Sequence, residues 1–325
     1  MHKDKSINIQ VRQMINRELI RTKIVQLTYA YYQNGNNNID AAEKELIKSL
    51  SKAYDLYNYL LSLIVAVTQE SRRHLEVAQN RAKREGTEMP SKRFALNRFA
   101  MQLEENQMLL DFTKSQKKTW NDEPEFLRKL YMQITESQLY KEYMESEEDS
   151  YANDREFWRK IYRTLIQDNS DLDALLEEQS LYWNDDKEIV DTFVLKTIKR
   201  FEEKNNSRQE LLPEYDNSDD EDYARKLFRA TIMNGEEYQH YMSESSQNWD
   251  FSRLAYMDVV IMQIAIAEMM TFPSIPITVT INEYVDLAKI YSTPQSSRYI
   301  NGMLDAIARH LIDSNKLMKH IDEKK

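Results

Sequence analysis

Four glycines in 325 residues, Gly35, Gly86, Gly235 and Gly302, constrain the fold more than any other feature of this sequence. An average protein carries about 7% glycine. Phosphate-cradling loops and tight hairpins need residues that accept a positive φ without penalty. Neither a G-x-G-x-x-G nor a Walker loop can be written in this chain. With 30% charged residues and an abundance of Glu, Lys, Leu, Met and Gln, the sequence instead favours helices joined by short polar loops. The predicted fold class is all-α.

Cysteine is absent, which removes disulfides, thiolate metal sites and cysteine nucleophiles. No apolar run reaches the roughly 18 residues needed to cross a membrane. The start, Met1-His2-Lys3-Asp4-Lys5, lacks the apolar core of a signal peptide. A cytoplasmic protein without membrane contact is the expectation.

Apolar spacing and turn residues set out the elements. A helix is predicted from Ile15 to Gln33, closed by Gly35 and the Asn36-Asn37-Asn38 run. Asp40 is predicted to cap a very long helix reaching Glu85-Gly86, whose middle, Tyr57 to Val67, is apolar nearly all round and so should be buried. Further helices are expected within 92–115, near 124–144 and 154–167, and at 170–181 and 187–204. Glu202 to Asp222 is polar, acidic and broken by Pro213, and reads as a mobile linker. Leu254 to Met270 is the most apolar helical segment, ended by Phe272-Pro273.

The last quarter has the most defined helix signals. Thr280 and Glu283 have capping-box spacing, and Thr293-Pro294 sets a capping hydroxyl before a proline at a first helical position. Apolar stripes follow: Ile281, Val285 and Ala288, then Ile300, Met303, Leu304, Ile307, Ala308 and Leu311. This spacing buries one face of each helix.

The net charge of −10 is segregated. Residues 1–33 carry a net +4 from Lys3, Lys5, Arg12, Arg17, Arg21 and Lys23 against Asp4 and Glu18. Residues 72–98 carry +5 and residues 202–222 carry −7. Local field, and not global charge, steers a polyanion.

Enzymatic constellations are weak. Glu237-x-x-His240 has the spacing of di-iron ligands, but His2, His74, His310 and His320 supply no second copy. No serine has nucleophile-elbow glycines around it. A non-enzyme without metal or cofactor is expected. Lys92-Arg93-Phe94-Ala95-Leu96-Asn97-Arg98-Phe99 interleaves cations with rings, which suits single-stranded RNA or, equally, a helix start with its rings inward.

The C-terminal segment resembles the NusB family of bacterial transcription-termination factors. The resemblance is carried by Ile281-Asn282-Glu283, Leu287-Ala288-Lys289, Arg298-Tyr299 and Ile300-Asn301-Gly302-Met303-Leu304-Asp305. At the other end, Arg17, Arg21, Val25-Gln26 and Tyr29 match the family's first helix, and Leu254 to Glu268 matches a central one, with Gln263 where arginine is common. The resemblance implies a NusB-like bundle built from residues 1–45 and 214–325. Residues 46–213 would be a helical insertion ending in the acidic linker, unless Tyr54 to Thr68 is itself the family's third helix. It also implies a transcription antitermination factor that pairs with NusE, the moonlighting small-subunit ribosomal protein. Such a factor binds boxA-type RNA and acts within the RNA polymerase antitermination complex.

By that resemblance Arg17, Arg21 and Lys23 are RNA-binding candidates, the alternative being a solvated helix face. Arg298 and Tyr299 are the others, the alternative for Tyr299 being packing on the bundle. Tyr29 is the candidate NusE contact, the alternative being a core tyrosine. Glu18 and Leu19 interrupt the family's run of arginines, so a bundle that has lost specific RNA binding is the second reading. Asn282, Glu283, Asn301 and Gly302 are expected to hold the fold, Gly302 by permitting close helix approach.

Overall fold

A computed structural model describes residues 13–35, 38–215, 218–245 and 254–317. Lys3, Lys5 and Arg12 of the basic N-terminal segment lie outside the described residues, as do Asn36 and Asn37. Every regular element among the described residues is helical, in agreement with the reading drawn from glycine scarcity. The chain divides into two compact units, one comprising Met1–Met14 and Ser51–Glu214, the other Ile15–Leu50 and Tyr215–Lys325.

The first unit contains most of α2 (Ile39–Glu85) and the shorter helices α3 (Arg98–Glu104), α4 (Gln107–Ser115), α5 (Pro124–Glu136), α6 (Gln138–Glu145), α7 (Tyr151–Ile161), α8 (Ser170–Gln179) and α9 (Lys187–Arg200). As predicted, Tyr57, Leu60, Leu61, Leu63, Ile64 and Val67 of α2 are fully buried. Asn38, not Asp40, caps this helix: its Oδ1 accepts the Ala41 N–H at 3.0 Å. The Tyr57 hydroxyl accepts the Leu212 N–H at 3.1 Å and shares a hydrogen bond with Thr197 at 2.7 Å.

Three findings concern this unit. The 202–215 part of the expected mobile linker is packed: Leu211 and Leu212 are buried, and the carbonyl of buried Gln209 accepts from Asn106 Nδ2 at 2.6 Å. Its two apolar residues outweigh its acidic composition. The 92–99 segment is a helix start with its rings inward. Phe94 and Phe99 are buried, Asn97 Oδ1 caps α3 at Ala100, and Arg98 bonds Asp154 at 2.8 Å. Third, α7 runs into a single π-helical turn, Tyr162–Ile166, which periodicity did not reveal. That turn is braced by buried Lys187 and Asp191. Lys187 donates to the Gln167 carbonyl, and Asp191 accepts from Tyr162 at 2.6 Å.

The second unit joins α1 (Arg17–Gln33) and the first turns of α2 to α10 (Ser218–Met233), α11 (Gly235–Ser245), α12 (Tyr256–Thr271), α13 (Ile277–Tyr291) and α14 (Pro294–Asp313). Helix α12 is its centre, touching α1, α10, α11, α13 and α14. Eleven of its residues are buried, so it is covered all round, as its near-continuous apolar sequence requires. Thr293 caps α14 with Pro294 at the first helical position, its Oγ1 accepting the Ser296 N–H at 3.2 Å. The predicted stripe from Ile300 to Leu311 is buried throughout.

The Thr280 capping box is not a cap. Pro276 opens α13 four residues earlier, so Thr280 and Glu283 lie inside the helix and turn towards other helices. Gly302 is likewise not at a close approach: a Cβ there would meet nothing within 4 Å. The tight glycine is Gly235, where a Cβ would come within 2.8 Å of Gln263 Nε2 and the Tyr32 hydroxyl.

Candidate nucleic-acid interface

The candidate residues sit in the second unit, and their positions follow from what α12 must bury. Asp258, Gln263 and Glu268 are polar residues in this covered helix, and all three are buried. A buried polar side chain is costly unless its partners are supplied, so each fixes something around it. Gln263 Nε2 donates to the Thr231 carbonyl at 2.9 Å and to the Tyr32 hydroxyl at 2.7 Å. Asp258 accepts from Ser292, just before the α14 cap.

Glu268 collects the largest set. Arg21 Nε and Nη2 reach its two oxygens at 2.8 and 3.1 Å, a bidentate pair. Thr280 Oγ1 donates at 2.7 Å, Tyr284 at 3.2 Å, and Tyr223 adds a further hydroxyl. The third nitrogen of Arg21, Nη1, bonds Glu283 at 2.9 Å. One carboxylate thus ties α1, α10, α12 and α13 together. Burial by itself would raise its pKa, but the hydrogen bonds and charge of Arg21 outweigh that and hold it below the usual carboxylate range. Burial also opposes the charge on Arg21, yet Glu268 keeps the guanidinium above its ordinary value.

This arrangement separates the candidate cations. Arg21 is 4% exposed and Lys23 is 2% exposed; neither is available to a phosphate in this fold. Their assignment to RNA contact is corrected on that ground. Helix α1 is buried on more than one side, so its basic positions do not all face solvent. The readable signal was Glu268 itself, an acid inside the most apolar helix, which demands a cation. Arg17, one turn before Arg21, keeps its side chain 43% exposed, with a 3.3 Å contact to Asp220 and its guanidinium 4.8 Å over the Tyr223 ring.

At the other end of the unit's sequence, Arg298 is exposed and Tyr299 is half-buried in the first turns of α14. Burial, and to a lesser degree nearby Asp258, pushes the Tyr299 hydroxyl above its ordinary pKa. Tyr29 is 36% exposed and meets Tyr256 edge-on at 5.6 Å between ring centres. Tyr256, itself 42% exposed, was not anticipated; an aromatic at the wet start of an apolar helix is the signal that marks it. The first turn of α12 therefore gathers Tyr29 through Tyr256, and the α14 start through Asp258. Arg17 stands three turns from Tyr29 along α1, about 18 Å at 1.5 Å per residue.

Metal chemistry finds no support in these groups. Among the described residues no three His, Asp or Glu side chains cluster to hold an ion. His240 pairs with Glu244 at 3.3 Å, while Glu237 accepts from Tyr241. No helix of the described residues is long and apolar enough to cross a membrane.

Fold and site together define an all-helical bundle protein, with an exposed arginine and tyrosines on a scaffold fixed by buried polar ties. A family model described as the NusB family matches residues 189–309. A transcription antitermination protein NusB of Acetivibrio thermocellus is 36% identical over 120 residues, 35% of this chain and 83% of that protein. One from Thermodesulfovibrio yellowstonii is 35% identical over 38% of this chain and 78% of its own length. One from Salinibacter ruber is 36% identical over 98 residues, 30% of this chain and 61% of that protein. The chain belongs to the NusB family. It spans between 40% and 64% of the first three such relatives, from Salinibacter ruber, Chloroherpeton thalassium and Natranaerobius thermophilus. The region ahead of the matched segment fits an insertion. No solved structure matches significantly.

Proposed function

We propose that this protein is a transcription antitermination factor. It binds boxA-type RNA, pairs with the small-subunit ribosomal protein NusE, and acts within the RNA polymerase antitermination complex in the cytoplasm, without catalysis. The bundle is Ile15–Leu50 with Tyr215–Lys325, and Ser51–Glu214 is the helical insertion. The observation that carries the reading is exposed Arg298 beside half-buried Tyr299 at the start of α14, directly before Ile300-Asn301-Gly302-Met303-Leu304-Asp305. A guanidinium can hold a phosphate or stack on a base, and a tyrosine ring stacked on an unpaired base contributes about 1–3 kcal/mol. Arg17 is the further cation on this reading, and Tyr29 with Tyr256 forms the NusE contact.

Burial of Arg21 and Lys23 supports a second reading, a bundle that keeps its protein partner but has lost specific RNA recognition. Each cation lost from a single-stranded site removes about 0.7 units of salt slope. The two readings separate in one experiment: binding of boxA RNA across a salt series, with and without NusE. Recognition predicts affinity falling steeply with salt, a shallower slope for Arg17→Ala plus Arg298→Ala, and discrimination against a scrambled RNA. Equal binding to the scrambled RNA selects the second reading. Absence of a NusE complex in size-exclusion chromatography removes both.

A further inference from the structure

We propose that the first unit carries a binding site for a small neutral aromatic molecule, in the cavity between α2 and α4. The cavity measures about 160 Å³ and is walled by Val65 and Ala66 of α2, Leu109 and Phe112 of α4, and the rings of Tyr59 and Trp120. These residues all precede the segment that matches the family, 189–309, so the site lies outside that segment. The inference is independent of RNA binding.

Size sets the first limit on the ligand. An apolar cavity of about 150 Å³ admits a benzene ring. A single ring, or a fused pair projecting through the open side, fits.

Chemistry sets the second limit. Several polar side chains on the lining are already bonded within the protein. Ser62 Oγ donates to the Tyr59 carbonyl at 2.7 Å and accepts from Trp120 Nε1 at 3.1 Å. Thr113 Oγ1 donates to the Leu109 carbonyl at 2.8 Å. Glu104 is held by Gln69 at 2.8 Å and by Arg72 at 2.7 Å. A cationic ligand would lose its hydration here and face the Lys118 ammonium of the lining, whereas a neutral ring displaces water that is poorly held.

The wall is also built in advance. Trp120 is stacked on Tyr59 at 4.1 Å, and its Nε1 is further fixed by the Tyr59 carbonyl at 2.9 Å. Tyr59 is stacked in turn with Trp183 at 5.2 Å. A ligand meeting fixed aromatic walls does not have to order them, which conserves affinity. Offset or edge-on contact with such rings favours an aromatic over an aliphatic guest.

The test is a titration of the full chain with fluoroindole, followed by fluorine NMR and calorimetry. The expected result is saturable binding with a Kd on the order of 0.1–1 mM, the range open to so small a ligand. Ala66→Leu, which fills the cavity, should weaken binding at least about tenfold while leaving the circular dichroism spectrum unchanged. Should that variant lose its fold, Val65→Phe blocks from a half-buried position. Val77→Leu, on the exposed part of α2, should bind as the parent does. No saturation at millimolar fluoroindole, or equal affinity in the filled variants, would overturn the site. Benzylammonium binding as tightly as fluoroindole would overturn the neutral class.

Discussion

Removing the Arg21 guanidinium tests whether the buried tie at Glu268 holds the second unit together. Arg21→Ala takes two of the five hydrogen bonds from a carboxylate that is 0% exposed, together with its neutralising charge. Breaking a buried pair from one side costs about 3–5 kcal/mol, because the remaining charge stays desolvated. Ordinary stability is about 5–15 kcal/mol, so the variant should fold but open readily. Arg17→Ala, whose pair with Asp220 is partly exposed, should cost only about 0–1 kcal/mol. The double replacement Arg21→Met with Glu268→Leu should recover only part of the loss: no buried charge is left uncompensated, but Thr280, Tyr284 and Tyr223 lose their common acceptor.

The dependence on pH gives a second, signed readout. In the parent, Glu268 titrates below its ordinary value of 4.5. Its contribution is present above that pH and is lost as pH falls through the depressed value. In Arg21→Ala, burial is opposed only by the hydroxyls of Tyr223 and Thr280 and raises the carboxyl, so the folded state binds the extra proton and stability falls as pH rises above about 4.5. Native-state hydrogen exchange of amides in α1, α12 and α13 between about pH 4 and 7 reads this locally. A loss below about 1 kcal/mol, or the same pH slope in parent and variant, would refute the reasoning.

Two further outcomes are expected. Gly235→Ala should destabilise by about 1–3 kcal/mol through overpacking on Gln263 and Tyr32, while Gly302→Ala, in an open helical position, should stabilise by about 0.5–1 kcal/mol in the same denaturant titration. Burial pushes the Asp191 carboxyl up to about 6 from 3.8, against the pull of Lys187; the folded state then holds the proton more tightly, and stability should decline by up to about 3 kcal/mol as pH rises from about 4 to 6. Asp191→Asn should abolish that decline, as followed by thermal melts across the range.

The helices were legible in the sequence wherever a local signal decided them. Glycine scarcity ruled out nucleotide loops, Thr293-Pro294 marked the start of α14, and the run from Tyr57 to Val67 marked a buried helix. Local signals misled where the same residues serve distant partners. Thr280 and Glu283 have the spacing of a cap, but Pro276 starts α13 and leaves both free to meet Glu268 and Arg21. Acidic composition suggested a loose 202–222, yet two leucines suffice to anchor part of it. At the candidate interface, periodicity placed Arg17, Arg21 and Lys23 on one helix without showing how many of its sides are covered. The partner of Arg21 lies 247 residues away, a separation no helical period encodes. What the sequence did offer was the rarity of Asp258, Gln263 and Glu268 within α12, each of which names a missing counterpart.

The salt bridges between α2 and α10 bear on how a bundle accepts so much additional chain. Glu43 meets Arg225 at 2.7 Å, while Asp40, three residues earlier, meets Arg229, four residues later. The two helices therefore run in opposite directions. Leu50, where the bundle's part of α2 ends, and Ser218, where α10 begins, each lie seven residues from the first of these contacts, on the same side. Exit and re-entry are thus neighbours, as at the closed end of a hairpin. Two to eight residues commonly join antiparallel helices, and loop-closure entropy rises only logarithmically with length. By that logarithmic dependence, closing the bundle's chain over Ser51–Glu214 instead of over a five-residue turn adds only about 3 kcal/mol of loop entropy.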